Sequence, residues 1–280
     1  MRTFELEWDK IVEKYEQGHS ESLAIRNVAM LALYNLHRIG QQELFGNLNL
    51  TQYALKSIPS CYLMSEVGLE VGLVNVAQRT AFEAMEAIPN YNKSGRVLKR
   101  LAETNLINGQ YEVARKYLRI LQKTIFYRPW AQRTLKMLGD EKAINAHPLY
   151  GTLRQYRLKD DFLFSEKEMD KICGQLFMHN HQNQMAAQYL LMGPLLDKDI
   201  PRFMQYAQYV QGQIHYNPRN CQEAIAFAFM QQRQQPPQGV VSPFVLEQMN
   251  DFTRIYSGDK NAPELVRFKN TAWYYLMIGN

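Results

Sequence analysis

Apolar residues recur at helical spacing over almost the whole chain. Phe4, Trp8, Ile11, Val12 and Tyr15 fall at i, i+3 and i+4 intervals and so share one face of a helix. Gly18 interrupts that stripe, and a second runs from about Ser22 through Leu23, Val28, Leu31, Ala32 and Leu36 to Gly40. This pattern predicts a first helix-turn-helix pair over 4–40.

The clearest unit spans 94–129. Leu98, Leu101 and Ala102 precede a turn at Asn108-Gly109, Tyr111, Ala114, Leu118 and Leu121 follow it, and Pro129 closes the unit. The same order occurs 37 residues earlier, with Gly72 at the turn, Ala77, Ala81 and Ala84 along the second helix, and Pro89 after it. Small residues where two helices cross, large ones between pairs and a closing proline are the pattern of the tetratricopeptide repeat. Two units in register predict an all-α, tetratricopeptide-like α-α superhelix, a solenoid of helical hairpins.

Past Trp130 the register is lost, although helical stripes continue at about 165–180, 183–196, 200–213, 219–233, 243–256 and 262–278. Ser165 with Glu168 reads as a capping box, and Pro201, Pro218 and Pro243 lie near helix first turns. The segment 139–164 is poorly periodic and predicts a longer connection, while Gln231 to Gly239 reads as a loop between helices. The expected organisation is therefore tetratricopeptide-like pairs over 1–138 and divergent pairs over 139–280. The second half packs on the first and ends in a capping helix, whose Phe268, Trp273, Tyr274 and Tyr275 cover the last apolar face.

Composition agrees with a packed core. Nearly half of the 280 residues are apolar, and 13 Met with 17 Tyr suit irregular gaps between helices better than a Val- and Thr-rich sandwich. Cys61, Cys173 and Cys221 are far apart and odd in number, which implies no disulfide framework. Acids at the N-terminus leave no export signal in the chain as given. Glu66, Glu70 and Arg26 interrupt its most apolar stretches, so any membrane contact is expected through a segment outside this chain.

Charge changes the picture more. Residues 93–136 hold eleven basic residues against two acidic ones, while 1–92 are acidic and 137–280 are balanced. Lys93, Arg96 and Arg100 form one helical stripe, and Arg115, Arg119 and Lys123 form a second at i, i+4, i+8. Such a surface attracts phosphates of lipid head groups or of a polymer, or an acidic partner. The plainer reading is a solvated face answering the acidic N-terminal repeats. Nucleic acid is not expected as the partner, because no recognition module accompanies the stripe.

The remaining candidates point to no cofactor, metal or catalytic group. His179 and His181 are two residues apart and face opposite sides of a helix. Gly68 and Gly72, interleaved with Glu66 and Glu70, suit a tight helix crossing rather than a lipid-facing dimer motif. Asp160-Asp161 lacks a third acid at helical spacing, and no phosphate-binding loop, nucleophile elbow, HExxH or dinucleotide fingerprint occurs.

Taken together, Leu33-Tyr34-Asn35-Leu36-His37-Arg38-Ile39-Gly40, the proline-closed repeats and the ending Arg267-Phe268-Lys269-Asn270-Thr271-Ala272-Trp273-Tyr274-Tyr275 resemble an uncharacterised family of Bacteroides-type bacteria. Its members look like multi-pass membrane proteins followed by a tetratricopeptide-like soluble region. The resemblance implies a membrane-associated soluble domain, on a side of the membrane it does not fix, and carries over no catalytic residue. Without it the chain reads as cytoplasmic. The expected function is a non-catalytic scaffold that binds an unidentified protein or peptide on a concave face made by the first helix of each pair. The alternatives are a ligand-binding or enzymatic pocket in 140–280 and phosphate binding on the basic 93–136 surface.

Overall fold

The computed structural model describes residues 8–18, 29, 32, 58–89, 93–158, 169–214 and 219–278. All regular structure among them is helical. Most of the expected second helix of the first pair, the Ser165–Glu168 capping box, Asp160-Asp161 and Pro218 lie outside the described residues. Helix α1 (Trp8–Gly18) stands where the first helix of that pair is expected, with Val12 buried. The chain forms two compact units, Leu50–Ala186 and Met1–Asn49 with Ala187–Asn280.

In the first of these units, α2 (Ile58–Val71) and α3 (Val74–Glu86) form one hairpin, and α4 (Gly95–Ile107) and α5 (Tyr111–Leu121) form the next. Each helix packs on its successor. The two turns are built alike. Gly72 donates to the Leu69 carbonyl at 3.1 Å and Leu73 to that of Gly68 at 2.7 Å, while Gly109 donates to Leu106 at 3.1 Å and Gln110 to Asn105 at 2.8 Å. This is the Schellman ending, in which a left-handed residue reverses the chain and satisfies the last carbonyls. Gly72 and Gly109 supply it at φ +98 and +76.

Small residues let the helices approach. Ala77, Ala81 and Ala84 on α3 are fully buried, and a Cβ at Gly68 would stand 3.2 Å from the backbone nitrogen of Ala77, so of the two glycines Gly68 serves the tight crossing, whereas Gly72 serves the turn and faces Tyr156. Cys61, Ala81, Ala84, Val97 and Leu101 form one core across α2, α3 and α4. Leu98, Ala102, Leu118 and Leu121 form another with Ala131 of α6 (Arg128–Met137), whose first turn carries Pro129.

The segment from 139 is not a connection up to Tyr156. It carries α7 (Glu141–Ala146) and α8 (Pro148–Tyr156). Two helices of six and nine residues are too short to show a period of 3.6, and their starts are fixed by caps instead. The Asp140 carboxylate accepts from the Ala143 nitrogen at 3.0 Å, and His147 Nδ1 accepts from the Leu149 and Tyr150 nitrogens at 3.3 Å. Ile144, Tyr150 and Leu153 share a core with Leu69, Ala77, Leu106, Ile107 and Ala114, so residues on both sides of 138 pack together. Arg154 fastens α8 to the end of α4, donating to the Leu106 carbonyl at 3.2 Å, the Tyr111 hydroxyl at 2.7 Å and Glu141 at 2.6 Å. After α9 (Met169–His179), Asn183 ties the chain back to the first hairpin. Its Nδ2 donates to the Val71 carbonyl at 2.8 Å while its Oδ1 accepts from the Ala186 nitrogen at 3.1 Å.

The other unit is made of α10 (Gln184–Leu196) beyond its first turn, α11 (Ile200–Val210), α12 (Arg219–Gln231), α13 (Pro243–Gly258), a 3-10 turn at Pro263–Phe268 and α14 (Ala272–Met277), together with α1. Pro201 and Pro243 occupy first turns as expected, beside the capping side chains of Asp199 and Ser242. The stripe over 262–278 is two short pieces rather than one helix. Pro263 tightens the first piece, and Thr271, whose hydroxyl donates to Phe268 at 2.7 Å and accepts from the Tyr274 nitrogen at 3.3 Å, starts the second. Trp273 is fully buried beside Phe252, which stacks on Tyr256 and meets Phe268 edge-on.

Candidate functional site

The first helices α2 and α4 bring together six charges: Glu66, Glu70, Arg96, Lys99, Arg100 and Glu103. Arg100 is the hub. Its guanidinium donates to Glu103 at 3.2 Å and to Glu66 in a closer bond. Arg96 reaches the other oxygen of Glu66 at 3.3 Å, and Lys99 reaches Glu103 at 2.6 Å while lying over the Trp130 ring. Burial pushes Glu66 up, but the Arg100 and Arg96 guanidiniums outweigh it and hold the carboxyl below its ordinary range. Glu70 is pushed up, by burial first and by Glu66 and Glu103 as like charges, against the pull of Arg100. Three positive groups face three negative ones. The Glu66–Arg100–Glu103 bonds fix α2 against α4, with Glu70 beside them and the Nε of Arg100 left without a hydrogen-bond partner.

This arrangement divides the six predicted site residues. Arg100 is 9% exposed and paired, so it is not a surface residue, because the stripe that carries it turns into the α2–α4 seam. Arg96 lies at the rim of the seam, over the Tyr62 ring and bound to Glu66. Arg115 is half-buried and paired with Glu112 at 3.4 Å. Lys93, Arg119 and Lys123 are exposed. The missed partners Glu66 and Glu103 had a signal. They lie 37 residues apart, the same offset that separates Gly72 from Gly109, and so occupy equivalent positions in the two hairpins.

The expected binding face, along the first helices, is not open on α4: Arg100 through Ile107 are all buried beneath their neighbours. The concavity lies instead between the second helices α3 and α5, over α4. It measures about 690 Å³ and is lined by five carboxamides, Asn75, Gln78, Asn105, Asn108 and Gln110, with Arg79, Glu83 and Arg157. Phe82 and Val113, 47% and 39% exposed, face it from either side. Asn108 organises the polar floor: its Nδ2 donates to Asn75 Oδ1 at 2.7 Å, and its Oδ1 accepts from Arg157 at 2.7 Å. Carboxamides neither give up nor take protons at neutral pH, so this floor suits recognition of donors and acceptors more than acid–base chemistry.

The other candidates are dispersed. His179 ends α9, and His181 sits in the following turn, tilted against Phe177. Cys61, Cys173 and Cys221 are buried free thiols; burial pushes Cys221 up to about 12 and Cys173 higher still, which leaves both in the unreactive thiol form. Among the described residues no helix is long and apolar enough to cross a membrane.

Hairpins closed by matched turns, an interhelical charge lock and an amide-lined groove define a helical-hairpin protein. Residues 4–279 match a family of unknown function, DUF6057, and the chain belongs to that family. No curated protein and no solved structure matches it.

Proposed function

We propose that the protein is a non-catalytic interaction scaffold of the tetratricopeptide-like kind, and that its groove between α3 and α5 receives an extended segment of a partner protein. The observation that carries this reading is the five-carboxamide floor flanked by Phe82 and Val113. A carboxamide carries N–H donors and a C=O acceptor, the two kinds of group that each peptide unit also presents, so a row of them fits a main chain whatever its side chains. The two apolar flanks then select a residue on each side. The two hairpins repeating at a 37-residue offset support the solenoid description, and the resemblance noted in the sequence supports placing the chain within a larger membrane protein.

The test is selection of peptides from a random display library on the purified chain, followed by fluorescence polarisation of the selected peptides. Val113→Glu and Phe82→Ala, exposed positions that leave the core intact, are expected to weaken binding by about tenfold each. Selected peptides that bind both variants as tightly as the parent chain would sink the groove as the binding site.

A further inference from the structure

Between α5 and α6 the chain turns through residues 122–127, and its tip presents Ile125 and Phe126 at 83% and 88% exposure. No other large apolar side chain among the described residues is as exposed. The tip is built, not frayed. The Thr124 hydroxyl donates to the Leu121 carbonyl at 2.7 Å and accepts from the Tyr127 nitrogen at 3.2 Å, and Arg128 Nε donates to the Gln122 carbonyl at 3.2 Å. Tyr127 turns inward against the core of Leu98, Ala102 and Leu118, over the space that Gly95 leaves empty: a Cβ there would stand 2.6 Å from its ring. With the loop braced on both sides of the tip, Ile125 and Phe126 have only solvent to face.

Cations surround this tip in sequence and in space. Arg119 ends α5, Lys123 and Arg128 flank the turn, and Lys93 precedes the glycine on which Tyr127 rests; all four are exposed. From Val113 to Gly139 the chain holds seven Lys and Arg residues and no acid. We propose that this loop docks on an anionic bilayer surface, with Ile125 and Phe126 entering the interfacial layer and Arg119, Lys123 and Arg128 meeting lipid phosphates. A protruding tip of two apolar side chains is far below the roughly 800 Å² per partner of a standard protein interface, whereas a bilayer deforms around a small wedge and its anionic surface attracts each basic residue held near it. Single-stranded RNA fits less well, because the tip offers the one ring of Phe126 and not a row of rings on which successive bases could stack. The groove between α3 and α5 has no part in this contact.

The experiment is co-sedimentation of the purified chain with phosphatidylcholine vesicles with and without phosphatidylglycerol, at low and at moderate salt. Binding is expected only with phosphatidylglycerol and is expected to weaken with salt. The doubly substituted I125S/F126S and R119E/K123E proteins, at positions outside the core, are each expected to partition about tenfold less while retaining the wild-type circular dichroism spectrum. Phe126→Trp is expected to add a blue-shifted emission component, relative to wild type, on anionic vesicles alone. The proposal is overturned if wild type ignores anionic vesicles at low salt, if I125S/F126S binds them as wild type does, or if an RNA homopolymer binds where the vesicles do not.

Discussion

The two compact units end helices with the same turn built from different residues. In the Leu50–Ala186 unit, Gly72 and Gly109 take the left-handed position. In the unit that contains Ala187–Asn280, the same pair of hydrogen bonds recurs after α10, where Asp199 donates to Pro194 at 2.8 Å and Lys198 to Leu195 at 3.1 Å. It recurs again after α12, where Gln234 donates to Phe229 and Arg233 to Met230, both at 2.9 Å. Here Lys198 and Arg233 occupy the position at φ 58 and 55. Their Cβ atoms strain a backbone that glycine adopts freely, and the surrounding packing has to hold them there. The comparison separates helix ends written into local sequence from helix ends imposed by the rest of the fold.

Carboxylates bonded to arginine divide the units in a second way. Glu66 has two guanidiniums beside it and is held low. Glu223, fully buried on α12, accepts from Arg219 at 2.8 Å and from the Ala272 nitrogen at 2.7 Å, yet burial outweighs both and pushes it up to about 7. Partner number and depth both differ. Two cations outweigh the partial burial of Glu66, whereas one half-exposed arginine and a backbone amide do not outweigh the full burial of Glu223.

The largest expected effect comes from breaking the charge lock. Arg100→Met leaves Glu66 and Glu103 facing each other without their shared cation and is expected to cost about 3–5 kcal/mol, read as a lowered urea midpoint; an unchanged midpoint would show that Arg96 and Lys99 suffice. In the other unit Trp273→Ala, which empties a fully buried ring site, is expected to cost about the same.

The pH response sharpens the contrast between the carboxylates. Glu223 has a folded pKa above its unfolded one, so the folded state binds the extra proton. Its contribution is full below the ordinary carboxylate pKa of about 4.3 and is lost as pH rises through about 7, a change of about 3 kcal/mol. Unfolding titrations from pH 5 to pH 8 are expected to show that loss in wild type and not in Glu223→Gln. Glu66 has the opposite sign: its contribution is present above the ordinary carboxylate pKa and disappears as pH falls through its depressed folded value, so Glu66→Gln is expected to flatten the acid limb.

Smaller effects test the turns. Nothing lies within 4 Å of a Cβ at Gly109, so Gly109→Ala isolates the backbone cost and is expected to destabilise by about 1 kcal/mol. Arg233→Gly is expected to do the reverse, by about 0.5 kcal/mol, as left-handed strain is relieved against a freer unfolded chain. A destabilised Arg233→Gly protein, measured by denaturant midpoint, would mean that the arginine side chain does more there than the backbone costs.

The sequence alone determined the helices that span three turns or more, the two glycine turns and the small-residue crossings between them. Each is a local pattern, set by 3.6-residue periodicity or by the one residue type that tolerates φ above zero. It did not reveal α7 and α8, which start from caps rather than a stripe, or the turns at Lys198 and Arg233, which carry no local mark. Nor could it tell that Arg100 turns inward while Arg119 and Lys123 stay exposed, since all three share the same helical spacing. Only the tertiary structure paired Arg100 with Glu66, brought Asn183 to the Val71 carbonyl and left Ile125 and Phe126 facing solvent. Those outcomes depend on which groups meet across distances of 34 to 112 residues and on what covers each side chain, and neither is encoded in the spacing of a stripe.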